Sequence, residues 1–285
     1  MAYLPPKLLE RKLLQFLQED LEFGDITTEI VPDKIVKANL IAKENGTVCG
    51  IYFASILSKA VGLEIITYKT DGDQIDKGEV VFTLKGSSRL ILVVERTLLN
   101  IVMRLSGITT QTKQLVNMIT KSKLPIKIAS TRKTTPGFRY FEKYAVKVGG
   151  GDTHRWSLSD EILIKENHLA LFKGDLIDSI LRKFQQLSSF TKKIDIEVET
   201  IEEFENVLSL NPDVIMLDDF TPEKIQKAIT LMNDQISGKK PLIEISGGVK
   251  SENFSKFLIK GIDIISMGAL THTAKSLDFS LKIQI

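Results

Sequence analysis

The chain has 285 residues, 43% of them apolar and 26% charged, with a formal net charge of +2. That supports one large packed domain or two smaller ones, and the near-neutral balance disfavours a nucleic-acid surface. Apolar runs such as "LILVV" ahead of Glu95 and Arg96 fall well short of the ~20 residues of a membrane span, so no membrane partner is expected. The single cysteine, Cys49, excludes an internal disulfide and a thiolate cluster.

The N-terminal stretch "MAYLPPKLLERKLLQFLQED" carries prolines and charges where a signal peptide would have an unbroken apolar core, so a cytoplasmic protein is expected. From residue 7 the apolar residues recur at helical spacing, and "GDITTE" reads as a turn that Asp25 or Thr27 can cap. Short β-like pieces follow, "KANLIAKENGTVCGI", "LEIITYKTDGDQI" and "VVFTL", broken by Asn-Gly, Asp-Gly and Lys-Gly turns. They predict a small mixed α/β domain over residues 1–107. The segment "RLILVVERTLLNIVMRLSGITTQTKQLVNMITKSK" is helical in pattern and is expected to join two parts of the chain through Gly107.

Beyond it the texture becomes a regular alternation. The β-branched pieces "IKIAS", "EILIKE", "IDIEVE", "DVIMLDD", "LIEISGG" and "DIISMGA" are separated by helical stretches, the signature of βαβ units around a parallel sheet. Each piece ends in something polar or glycine-rich: Arg132 and Lys133, Lys165, Glu199, Asp218, Ser246 to Gly248, and Gly268. In a (β/α) barrel those ends converge on the face that carries chemistry, and the last strands commonly hold phosphate. An open doubly wound sheet would also gather ligands at strand ends, but no G-x-G-x-x-G opens a helix here. An incomplete barrel is therefore the expected fold, over residues 108–276.

Charge points to the same face. Between Lys127 and Arg155 the chain carries Lys127, Arg132, Lys133, Arg139, Lys143, Lys147 and Arg155 against only Glu142 and Asp152. A basic focus in a nearly neutral chain suits a small polyanion. Arg132 can grip a carboxylate or phosphate in a fork, with Lys133 as a point charge beside it. The glycines of "GGGDTHR" can let backbone amides approach an anion, with His154 and Arg155 adding donors. Lys165 ends an apolar strand and should face an anion or a carboxylate. Glu199 and Asp218 at a polyanion site would repel the ligand unless Mg²⁺ lies between, the alternative being salt bridges to Lys133 or Lys165. "SGG" at 246–248 and "MGALTH" at 267–272 look like a phosphate cradle, and His272 either donates to it or is a surface histidine.

With these residues assembled, the chain resembles the quinolinate phosphoribosyltransferases. The likeness runs from "EDLEFGDITTE" through "ERTLLNIVMRLSGITTQT", "TRKTTPGFR", "EKYAVKVGGG", "LIKENH", "EVE", "LDDF", "SGG" and "ISMGALTH" to "LDFSLKI". It implies an N-terminal α/β sandwich domain joined by a returning C-terminal segment, 277–285, beside the incomplete barrel. It implies phosphoribosyl transfer from phosphoribosyl pyrophosphate to quinolinate, with Mg²⁺ as cofactor. It also implies catalytic roles for Lys133, Lys165, Glu199 and Asp218. Substrate contacts extend on the same basis to Arg96, Thr131, Arg132, His154, Arg155, Ser246, Gly247, Gly248, Met267, Gly268, Ala269 and His272, with Glu199 and Asp218 nearest the metal. Arg96 matches an arginine that enters a neighbouring subunit's site, which implies a homodimer. Thr153 and Asp219 stand where the family often has Asn.

Overall fold

The computed structural model describes residues 4–171, 182, 186 and 191–284. Met1 to Tyr3 and Ile285, which fall inside the predicted domain limits, lie outside the described residues. The chain divides into two compact units. The first comprises Met1–Lys113, Pro136–Gly150 and Thr273–Ile285, and the second Gln114–Thr135 and Gly151–His272.

In the first unit β1 (Ile35–Ala42), β3 (Glu64–Thr67), β5 (Val80–Ser87) and the C-terminal β12 (Phe279–Gln284) form an antiparallel sheet in the order β12-β1-β5-β3, strands being numbered in chain order. A two-stranded ribbon, β2 (Gly46–Thr47) with β4 (Gln74–Ile75), stands beside it. Along β1 the buried Ala38, Leu40 and Ala42 alternate with more accessible neighbours, the period of a strand with one covered face. The helix Pro6–Leu21 buries Leu9, Leu13 and Leu17, one side chain per turn.

The helix Arg139–Val148, expected among the barrel residues, belongs to this first unit. Its Phe141 ring lies 4.8 Å from Phe53 and 5.4 Å from Phe16 in edge-on packing. Its fully buried Glu142 accepts from Arg104 at 2.9 Å. The basic focus read from sequence is thereby divided. Arg139, Lys143 and Lys147 sit on this helix, and Lys143 is fully buried. Gly149 of the triple glycine closes the helix and packs so tightly that a Cβ would stand 2.6 Å from that of Thr112, a packing reason for the glycine.

The segment expected to join the two parts is a single helix, Ser88–Ser122, that runs from the first unit into the second with Gly107 inside it. A Cβ on Gly107 would stand 2.0 Å from the carbonyl oxygen of Lys275. Gly107→Ala should therefore lower the melting temperature measured by circular dichroism. Forcing backbone apart costs about 1–3 kcal/mol, against about 1 kcal/mol regained in helix propensity. An unchanged or raised melting temperature would contradict this reading.

In the second unit every piece predicted as a strand is one: β6 (Lys127–Ala129), β7 (Ile162–Ile164), β8 (Ile194–Val198), β9 (Val214–Asp218), β10 (Leu242–Ser246) and β11 (Ile264–Ser266). They pair in parallel in the order β6-β11-β10-β9-β8-β7, the cyclic succession of an open (β/α) barrel with β6 and β7 at its two edges. Beside β6, Asp152 forms an isolated parallel bridge to Ala129. The β8 strand is buried throughout, as a parallel strand covered on both faces should be. Two short turns after the strands are chemically fixed. Thr200 and Glu203 form a reciprocal capping box, and Thr221 caps the helix that Pro222 begins.

Candidate active site

Period-two alternation decides which polar side chains face the same way. In "IDIEVE" it sets Asp195, Glu197 and Glu199 on one face, and in "LIEIS" it sets Leu242, Glu244 and Ser246 together. The three acids of β8 climb from depth to surface. Asp195 is 1% exposed, Glu197 8%, and Glu199 lies beyond the end of the strand, exposed.

That gradient corrects the sequence expectation for the acidic pair. The acid paired with Lys165 is Glu197, whose Oε2 accepts from the Lys165 ammonium. Glu199 instead precedes the capped helix Ile201–Leu208, and its backbone N–H donates to the Glu203 carboxylate at 2.8 Å. Glu197 was legible only through the alternation, since the last acid of the run looked like the strand's end. Lys165 meets the expectation that it faces a carboxylate, and its own N–H donates to Nδ1 of the exposed His168.

Asp218 ends β9 half-buried. Burial and then the charges of Glu197 and Asp219 raise its carboxyl above the ordinary range, while Lys165 and Lys133 pull the other way. Glu199 is also raised, first by Glu166 and then by burial. Opposite Asp218 lies the Ser246–Gly248 turn. Gly247 has φ +72, and a Cβ there would stand 2.6 Å from Asp218 Oδ1, so only glycine lets the turn come this close. Asp219 adopts φ +54, a left-handed conformation that Asn and Asp tolerate best, and its N–H donates to the Ser246 carbonyl.

Lys133 and the last barrel loop meet directly. Thr271 Oγ1 donates to the Lys133 carbonyl at 2.7 Å. A Cβ on Gly268 would stand 2.8 Å from Lys133 Cδ and 3.1 Å from His272 Cδ2, so both side chains lie over that glycine. Lys133 and His272 are exposed, Gly268 and Ala269 partly so. Met267 is a buried core side chain whose N–H donates to the Ala129 carbonyl. Thr131 accepts the Lys133 N–H through Oγ1, and Arg132 has its Nε and Nη1 sealed from solvent.

On the other side, His154 adopts φ +51. Its Nδ1 accepts the Arg155 N–H at 2.8 Å, and its Nε2 lies 3.1 Å from Glu244 Oε2. Arg155 Nε lies 3.5 Å from Glu161 Oε1. Beneath them Asp195 is pushed well above the ordinary carboxylate range by burial and by Glu244 and Glu161, with Arg155 opposing. Sequence reasoning missed Asp195, Glu197 and Glu244, acids buried under a basic pocket. Arg96 lies in the first unit, exposed on the helix Ser88–Ser122.

A face with cationic side chains, glycine turns and a hard-oxygen pair can hold a polyanion and a divalent ion together. Residues 25–106 match the family model described as "Quinolinate phosphoribosyl transferase, N-terminal domain", and residues 108–282 match its C-terminal domain. A curated relative from Archaeoglobus fulgidus, "Probable nicotinate-nucleotide pyrophosphorylase [carboxylating]", is 40% identical over 263 residues, covering 92% of this chain and 99% of its own. The human "Nicotinate-nucleotide pyrophosphorylase [carboxylating]" is 31% identical over 283 residues, covering 98% and 93%. Among solved structures, NadC from Streptococcus pyogenes superposes with a TM-score of 0.89 at 35% identity, covering 100% of this chain and 99% of that one.

Proposed function

This chain belongs to the quinolinate phosphoribosyl transferase family, and we infer from that premise that it joins quinolinate to the phosphoribosyl group of phosphoribosyl pyrophosphate. The products are nicotinate mononucleotide, pyrophosphate and CO₂, a step of NAD biosynthesis. The observation that carries the reading is the convergence, within one unit, of Lys165 on Glu197, of Asp218 on the Gly247 turn and of Lys133 on the Gly268 loop.

Each group has work that follows from its chemistry. Arg132 and Arg155 suit the two ring carboxylates, because a guanidinium forks onto planar anions. Lys133, His272 and the Gly268 loop suit the 5′-phosphate, with the Ser246–Gly248 turn supplying backbone amides. As the pyridine nitrogen displaces pyrophosphate at the anomeric carbon, negative charge grows on the leaving group, and the Lys133 and Lys165 ammoniums stabilise it without reorganising. N-ribosylation makes the ring cationic, so the electron pair left when CO₂ departs is held in the ring until a proton replaces it. Arg132 and Arg155 then need only fix and partly desolvate the departing carboxylate.

The acid set fits Mg²⁺. Burial and then the charges of Glu197 and Asp219 raise Asp218, and a hard cation bound by oxygen would offset both. Asp218 and Glu197 would hold it, directly or through water, with Glu199 at the rim. When bound it would neutralise the pyrophosphate charge.

The assembly we propose is a homodimer in which Arg96 serves the neighbouring site. The first unit supports it with exposed apolar side chains, Phe23 at 104%, Ile26 at 85% and Ile30 at 85% exposure. We place the enzyme in the cytoplasm. No helix among the described residues is long and apolar enough to cross a membrane.

The assay is direct. Purified protein with quinolinate, phosphoribosyl pyrophosphate and Mg²⁺ should release CO₂ and form nicotinate mononucleotide. Nicotinic acid, which lacks one carboxylate, should react about 10²-fold or more slowly in kcat/KM, because it forgoes one charge-assisted guanidinium–carboxylate contact. Comparable turnover of the two acids would overturn the assignment of the basic pocket.

A further inference from the structure

The buried acids beneath the basic pocket have no part in the chemistry described above. Glu244 on β10 is 1% exposed, and Asp195 on β8 is equally buried. Ligating atoms of Asp195, Glu244 and His154 all lie within 4.8 Å of one another. Two acids so close together and shut off from water need donors, since a carboxylate buried without them is costly.

The His154 ring supplies one. Its Nδ1 accepts the Arg155 N–H at 2.8 Å, a shorter contact than the 3.4 Å from Nδ1 to Glu161 Oε1; a neutral ring that keeps that bond carries its proton on Nε2, 3.1 Å from Glu244 Oε2. The next residue is Arg155, whose guanidinium faces Glu161. Fixing the ring therefore fixes the strap that presents Arg155.

We propose that Glu244 is a positioning residue that accepts the Nε2 proton of His154 and through that ring holds the His154–Arg155 strap in the geometry the quinolinate pocket requires. The proposal deepens the reaction assigned above and rests on it for its kinetic arm alone. Its structural arm needs no substrate. Glu244 is buried and its Oε2 lies 3.1 Å from His154 Nε2, so the histidine proton is a donor within its reach.

The test combines ¹⁵N NMR of the histidine side chains with steady-state kinetics. The chain has three histidines, His154, His168 and His272, and His154→Gln identifies its signals by their loss. In the free wild-type protein the His154 signals should be those of the Nε2–H tautomer. Glu244→Ala should release the ring to a tautomeric mixture, raise the quinolinate KM about 10- to 100-fold, and leave the phosphoribosyl pyrophosphate KM within about threefold. Glu244→Gln, whose amide oxygen still accepts, should restore the tautomer and most of the quinolinate KM. A wild-type ring protonated on Nδ1 would overturn the proposal even if Glu244→Ala were unstable, and a folded Glu244→Ala protein with the wild-type tautomer would overturn it even if the substrate were a different acid. Equal loss of both KM values in a folded Glu244→Ala would overturn it too.

Discussion

Glu197→Gln should lower kcat/KM by about 10²–10³-fold, the scale of losing one preorganised charged group, while Glu199→Gln stays within about threefold of wild type. The two acids are two residues apart, Glu197 within β8 and Glu199 just past its end, so the comparison tests depth. Glu197 is 8% exposed and holds the Lys165 ammonium, and its charge also helps raise the Asp218 carboxyl. Its amide would deprive Lys165 of an anionic partner and take one anionic oxygen from the proposed Mg²⁺ site, so the apparent affinity for Mg²⁺ should fall as well. Glu199 donates its backbone N–H to the Glu203 carboxylate beside the capping box, and a glutamine there keeps that bond. Both variants should melt within a few degrees of wild type, which circular dichroism can verify before kinetics are read. A larger loss in Glu199→Gln than in Glu197→Gln would restore the strand-end acid to the site.

The difference between these acids also marks how far local sequence could be read. The β-branched pieces and their spacing announced the parallel sheet, because strand propensity and the βαβ rhythm are local properties. Lys133, Lys165 and Asp218 could be picked from their places at strand ends for the same reason. Depth along a strand is a property of the assembled barrel, so "IDIEVE" offered three acids without saying which one met Lys165. Contacts distant in sequence were equally hidden. His154 meets Glu244 from 90 residues away, and Gly107 is glycine because the Lys275 carbonyl presses on it. The run of basic residues misled through its continuity in sequence. The chain sends the helix Arg139–Val148 to the first unit, where its aromatic face packs, and keeps Arg132, Lys133 and Arg155 in the second.

Arg96→Ala and Lys133→Ala should each be nearly inactive alone and should regain activity when mixed. Arg96 lies on an exposed face of its helix, where the loss of an ordinary surface charge costs little. If it forks onto a substrate carboxylate in the partner's pocket, truncation removes ~2–4 kcal/mol of transition-state stabilisation. Lys133 belongs to the second unit, beside Gly268 and His272, so its loss disables the site of its own chain. In a dimer with shared sites, a mixed pair places both lesions in one site and leaves the other with both native residues. Random exchange makes half the dimers mixed, so activity should return to roughly a quarter of wild type. The exchange itself can be followed by native mass spectrometry with one variant isotopically labelled. A fully exchanged mixture that stays inactive would show that Arg96 and Lys133 serve the same subunit's site, or that Arg96 serves none.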